Sequence, residues 1–186
     1  MPLEEIRAHE RGHVYDADPV FVEPADPACT ARLDVANADM LDELATAREP
    51  WWPHDERFPF RMVCRRHVGA LNSSGLDLPR MRATPYNPAF VHPDDLAALE
   101  VAPGALVQLT SPHGSVLAVV ETDPTLRRGV VSMTHAYGDV LRGDAAVRES
   151  GTNTSRLTAV DVDYDRITGM PRMSNVPVAI AAAAAD

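Results

Sequence analysis

Lysine is missing from this sequence: all 17 of its basic residues other than histidine are arginine. That excludes Schiff-base chemistry and lysine-activated nucleophiles. It also leaves permanently charged, bidentate guanidinium groups as the cations available to an anionic ligand. Cysteine is limited to Cys29 and Cys64, too few for the usual four-thiolate iron–sulfur cluster. One disulfide between them is an open alternative, but two free thiols in a reducing compartment are the expectation. Aromatic residues make up only 5% of the chain, so aliphatic side chains must fill the core. No apolar run approaches the length of roughly 20 residues that spans a bilayer, so no membrane segment is expected. No charged-then-apolar leader opens the sequence, which makes a cytoplasmic setting the expectation.

Several catalytic patterns are absent too. There is no G-x-G-x-x-G stretch to support a dinucleotide-binding βαβ unit. Ser73, Ser74 and Ser111 lack a G-x-S-x-G context, so a hydrolase triad has no support. The Gly138 to Gly143 stretch has phosphate-loop glycine spacing, but Asp144 stands where lysine is required, and its charge would repel a phosphate. The formal net charge of −10 makes nucleic acid a poor partner, because phosphate repulsion acts over the whole surface. No internal repeat of fixed period occurs.

What is present is a chain punctuated by 16 prolines, which fall between short apolar runs and point to turns and short strands. Residues 1–57 read as an N-terminal lobe or linker with one helix, at about Asn37 to Arg48. There Val35, Met40, Leu41, Leu44 and Ala47 recur at near-helical spacing and Pro50 ends the run. Trp51 and Trp52 are expected to pack that lobe on a neighbouring surface. Residues 58–180 alternate differently. Strands are expected at Phe58 to Val63, Ala105 to Thr110, Val116 to Glu121, Gly129 to Met133 and Val176 to Ile180. A short helix is expected at Pro93 to Leu99, with proline at its first position and Asp94 and Asp95 near its positive end. Such an order suggests a small barrel with a helical insertion. The Ala-rich tail, residues 181–186, is expected to fray.

One literal motif points elsewhere. His9-Glu10-Arg11-Gly12-His13 satisfies HExxH, which on a helix puts two zinc-ligating imidazoles on one face beside a glutamate base. The helix is the difficulty, since Gly12 between the ligands costs about 1 kcal/mol in a helix interior. A zinc hydrolase using His9, Glu10 and His13 is kept as an alternative, against a plain surface segment.

Local charge is more informative than net charge. Arg61, Arg65, Arg66, Arg80 and Arg82 fall in one stretch with His67, opposed only by Asp77. Arginine forks suit a diphosphate; a solvated basic face paired to distant carboxylates is the competing explanation. Residue order then adds to the balance. Arg65-Arg66-His67 leading to Asn72-Ser73, Asn87-Pro88 followed by His92-Pro93-Asp94-Asp95-Leu96-Ala97, and Leu99 to Val107 come first. Gly129-Val130-Val131 through His135-Ala136-Tyr137-Gly138, Gly151-Thr152-Asn153-Thr154-Ser155-Arg156-Leu157-Thr158, and Gly169-Met170-Pro171 follow in turn. Together they resemble the C-terminal dinucleotide-binding domain of molybdopterin-dependent oxidoreductases, closest to the formate dehydrogenase-like branch. Glu100 replaces a usual glycine, Ala136-Tyr137 a Gly-Trp pair, and Ser155 a second asparagine.

The resemblance implies a mainly β fold with short helices, a six-stranded double-psi β-barrel of the aspartate decarboxylase-like kind, plus the N-terminal lobe. It implies binding of molybdopterin guanine dinucleotide, in its bis form, through Arg66, His67, Asn72, Ser73, His135 and Asn153. Arg66 would pair with the diphosphate, and Asn72 and Ser73 would meet phosphate or guanine. His135 would bond the pterin and Asn153 its ring edge. For Asn72 and Asn153 the plainer explanation is turn formation; for His135 it is a satisfied histidine at a strand end. His92 and Asp94 look like helix-entry residues. No metal ligand or catalytic residue is implied in this chain. The partner implied is the rest of an oxidoreductase catalytic subunit, carrying the metal ligand and redox centres. A double-psi barrel acting as a recognition module without cofactor is the remaining alternative.

Overall fold

A computed structural model describes residues 2–9, 12–24, 26–46, 55–68, 70–76, 78–79, 81, 83–138 and 143–183. The chain forms two compact units, Met1–Asn37 and Ala38–Asp186. The first holds one short helix, α1 (Leu3–Arg7), and otherwise irregular chain. The helix stops before His9, and Gly12 sits at φ +79°, so His9 and His13 do not share a helical face. Their rings stack instead, with centroids 4.2 Å apart and planes 12° from parallel. Among the described residues no group of three or more His, Cys, Asp or Glu side chains could hold a metal ion, and Glu10 lies outside them. The zinc-hydrolase expectation therefore loses the helix it required.

Helix α2 (Ala38–Thr46) lies inside the expected Asn37 to Arg48 span and belongs to the second unit, where Arg172 Nη2 comes within 3.6 Å of Glu43. Arg48, Pro50, Trp51 and Trp52 lie outside the described residues.

The rest of the second unit is mainly β with short helices. Six strands, β1 (Phe60–Arg65), β2 (Ala89–Val91), β3 (Leu106–Thr110), β4 (Ser115–Thr122), β5 (Val130–Thr134) and β6 (Val176–Ala182), close into a barrel in the order β1-β5-β2-β4-β3-β6. Two neighbouring pairs run parallel, β1 with β5 and β2 with β4; the other four are antiparallel. Parallel neighbours need long crossovers, and the 64-residue gap between β1 and β5 accommodates β2, β3, β4 and a helix, α3 (Pro93–Ala98). Closure leaves no free sheet edge.

Five strands follow the apolar runs, shifted by one or two residues. β2 was not anticipated: three residues flanked by prolines cannot display an alternation. Two of its three residues are nonetheless fully buried, Ala89 and Val91 both at 0% exposed, with Phe90 half-buried. The tail also differs from expectation. Ala181 and Ala182 pair with Gln108 and Val107, because β3 is long enough to offer them backbone partners; residues 184–186 lie outside the described set. As the scarcity of aromatics required, the core is aliphatic, built on Met62, Leu96, Leu109, Met133, Leu157 and a set of valines.

One end of the barrel is tied to α3. His92 caps that helix, its ring accepting from Asp94 N at 3.1 Å. Asp95, only 6% exposed, accepts from Gly129 N at 2.7 Å and Arg128 Nε at 2.8 Å, so its carboxylate binds the helix to the start of β5. Removing it leaves a part-buried N–H without its acceptor, so Asp95→Ala is expected to lower stability by about 1–2 kcal/mol in urea unfolding; a loss of a few tenths would contradict this anchoring.

Candidate functional site

The opposite ends of β1 and β5 carry the site. Their parallel register sets Arg65 beside Thr134, so the two strands discharge their chains side by side and Arg66 meets His135. Arg66 Nη1 lies 3.0 Å from His135 Nε2 and donates to Asn72 Oδ1 at 3.3 Å. Asn72 Oδ1 is itself 3.0 Å from His135 Nε2. Asn72 sits at φ +53°, in a turn whose ends, Leu71 and Ser74, exchange two backbone hydrogen bonds of 3.0 Å. Asparagine tolerates that left-handed backbone better than other side chains, so Asn72 both forms the turn and aims at the cleft.

Arg66, His67, Asn72 and His135 line one cleft of about 220 Å³ with Thr134, Tyr137 and two apolar residues, Ala70 and Leu76. Sequence reasoning had not singled out Tyr137 or Thr134, although Tyr137 stood in the quoted His135-to-Gly138 segment, where an aromatic was the signal. Tyr137 is buried, its hydroxyl donates to Thr84 O at 3.4 Å, and burial raises its phenol above the usual value. The His67 ring lies 6.1 Å from it, centroid to centroid.

The hydrogen-bonding groups of this cluster do not balance. Arg66 only donates, and Asn72 Oδ1 only accepts; a single His135 Nε2 can serve one of them at a time. His135 Nδ1 is buried with no hydrogen-bond partner among the described residues. No carboxylate there pairs with Arg66 either. Arg66 therefore keeps guanidinium donors that no carboxylate among the described residues meets, and the cleft's chemistry fits a group bearing anionic or carbonyl oxygens.

The arginine island divides. Arg65 turns back along the barrel, its guanidinium 4.1 Å above the Phe90 ring. It donates to Ser132 Oγ at 3.1 Å and pairs with Asp123, as the ion-pair explanation of the island supposed. Among the described residues Arg66 has no such carboxylate partner. Arg80, Arg82 and Asp77 lie outside the described residues.

Two expected site residues stand outside the cleft lining. Ser73 is exposed in the Leu71–Ser74 turn. Asn153 caps a 3-10 turn, Thr154–Leu157, its Oδ1 accepting from Ser155 N at 3.0 Å, which leaves the amide NH2 for a ligand. Its backbone nevertheless abuts the loop after His135: a Cβ on Gly138 would fall 2.6 Å from Asn153 N.

Residues 60–177 match the family described as "Molydopterin dinucleotide binding domain". That is well over half of the chain, and the protein belongs to this family, the dinucleotide-binding domain of molybdopterin-dependent oxidoreductases. Among solved structures its fold is similar to that of acetylene hydratase from Pelobacter acetylenicus. The TM-score is 0.57 and the identity 15%, over 78% of this chain and 20% of that one. The chain therefore spans about a fifth of that protein's length. No curated protein matches the sequence.

The Arg65 pairing generates a titration test. The Thr125 hydroxyl, then Arg65, then the Thr125 N–H hold the Asp123 carboxyl down to about 2. Its contribution to stability is present above the unfolded value near 3.8 and is lost as pH falls through about 2. Carboxyl-detected NMR should place the Asp123 midpoint near 2, and Thr125→Val should raise it further than removal of the Arg65 charge does. The reverse order would show that the ion pair dominates.

Proposed function

We propose that this chain binds the diphosphate and guanine portion of a bis-molybdopterin guanine dinucleotide, as part of a formate dehydrogenase-like oxidoreductase. The remainder of the catalytic subunit would hold the metal ligand and the redox centres. The observation that carries this is the exposed Arg66 guanidinium, gathered with Asn72 and His135 and without a carboxylate partner among the described residues, within a domain whose family binds a molybdopterin-type cofactor. Arg66 is the group for the diphosphate, since no carboxylate competes for it among the described residues. Asn72, with Ser73 beside it in the turn and His67 in the same lining, would meet phosphate or guanine oxygens. His135 would hydrogen-bond the pterin, and the Asn153 amide would read the ring edge from the neighbouring loop.

When bound, the cofactor supplies metal-centred electron transfer; what this chain contributes is affinity and orientation. The burial of Tyr137 and Thr134 beneath the cleft gives the polar groups a fixed floor, so little side-chain entropy remains to be lost when a ligand docks.

Guanosine diphosphate is the smallest probe of the proposed portion. Calorimetric titration of the chain should show binding that Arg66→Ala weakens about tenfold or more, the worth of a lost charge-assisted hydrogen bond. Because Arg66 is exposed, the same variant should unfold within about 2 °C of the parent. Absence of binding at millimolar nucleotide would favour a recognition module without cofactor. Matched losses of affinity and stability would make Arg66 a structural residue.

A further inference from the structure

A buried side chain lies directly behind the site. Asn87 is 2% exposed. Its Nδ2 donates to Thr134 O at 2.6 Å and to Thr152 O at 3.0 Å, and its Oδ1 accepts from Thr152 N at 2.8 Å. Thr134 immediately precedes His135, and Thr152 immediately precedes Asn153. Two carbonyls require the NH2 and one N–H requires the oxygen, so the amide has a single workable orientation. All three bonds end on residues adjoining proposed ligand contacts.

The two loops that Asn87 joins also meet each other closely. Gly138 N donates to Ser150 O at 2.9 Å. Gly151, at φ +74°, approaches so near that a Cβ there would lie 2.3 Å from Asn87 Oδ1. Together with the contact of Gly138 against Asn153, these leave no room for one loop to slide past the other. Strand β2, which follows Asn87, is held by its own ladders to β4 and β5, so the barrel does not require the amide for closure.

We propose that Asn87 is a positioning residue of the cofactor site: a buried amide clamp that registers the His135 loop against the Asn153 loop. This rests on the cofactor assignment above. The clamp explains how a histidine from β5 and an asparagine from a segment beyond α4 (Val147–Ser150) can address one ligand, although no direct side-chain bond between them occurs among the described residues. An aspartate of the same size keeps the acceptor for Thr152 N but sets a carboxylate against two carbonyl oxygens. It should part the loops while leaving the hydrophobic barrel in place.

The test compares Asn87→Asp with Val107→Ala, a core truncation in β3, on the full chain. Guanosine diphosphate affinity is read by calorimetry, and the His135 and Asn153 amide signals by NMR. Asn87→Asp should weaken the nucleotide by about tenfold or more and move both amides. Val107→Ala should lower the unfolding temperature yet stay within about twofold in affinity, since distant sites act independently. Parent-like affinity in Asn87→Asp, or equal weakening in both variants, would overturn the positioning role while leaving the cofactor assignment standing. No nucleotide binding by the parent chain would overturn the assignment itself and the role that rests on it. Should Asn87→Asp not fold, Asn87→Gln, which keeps the amide but lengthens its reach, is measured instead. Weakened binding with the fold retained supports the clamp, and parent-like binding overturns it.

Discussion

Parallel pairing of β1 with β5, in the register that sets Arg65 beside Thr134, is the constraint on which the site depends. Arg66 and His135 are 69 positions apart, and neither strand would bring them together alone. In a parallel pair both chains leave the sheet at the same end; an antiparallel pairing would carry the two residues to opposite rims. The register is itself enforced by burial. Met62, Val131 and Met133 are each 1% exposed or less, and a slip of one residue would turn that apolar set outward.

The same strands explain why the two ends of the barrel differ. Where β5 begins, α3 is bound down through Asp95 to Gly129 N, and that carboxylate's acceptor capacity is used by donors of the protein itself. Where β5 finishes, the balance is reversed: a guanidinium and an imidazole nitrogen crowd one amide oxygen, and His135 Nδ1 has no partner among the described residues. One end is internally satisfied and gains stability. The other is incompletely satisfied in the protein alone, as a surface prepared for an oxygen-rich ligand must be.

Much of the barrel was legible in the sequence because five strands carry short, mainly apolar runs and α3 carries its proline and acidic start. β2 was illegible because its three residues, with Pro88 and Pro93 close on either side, hold too little pattern. The tail strand was illegible because alanines at its end carry no strand signal; their partners Val107 and Gln108 supply it. In the site, Arg65 and Arg66 are adjacent and chemically identical, and only the pleat of β1 tells them apart, sending one along the barrel to Asp123 and leaving the other at the rim. The HExxH match failed for a related reason: a spacing has meaning only on the element that gives it geometry, and Gly12 at positive φ removes the helix. The role of Asn87 lay hidden because a buried amide with three backbone partners 47 and 65 residues away leaves no local trace.

The central claim is that one rim, and only that rim, receives the ligand. Amide chemical-shift mapping of the chain on titration with guanosine diphosphate addresses it directly. The shifted signals should gather at Arg66 to Leu76 and at His135 to Gly138, with the α3 end at Asp95, Asp123 and Gly129 unmoved. Shifts concentrated at the α3 end, or spread evenly over the surface, would contradict it.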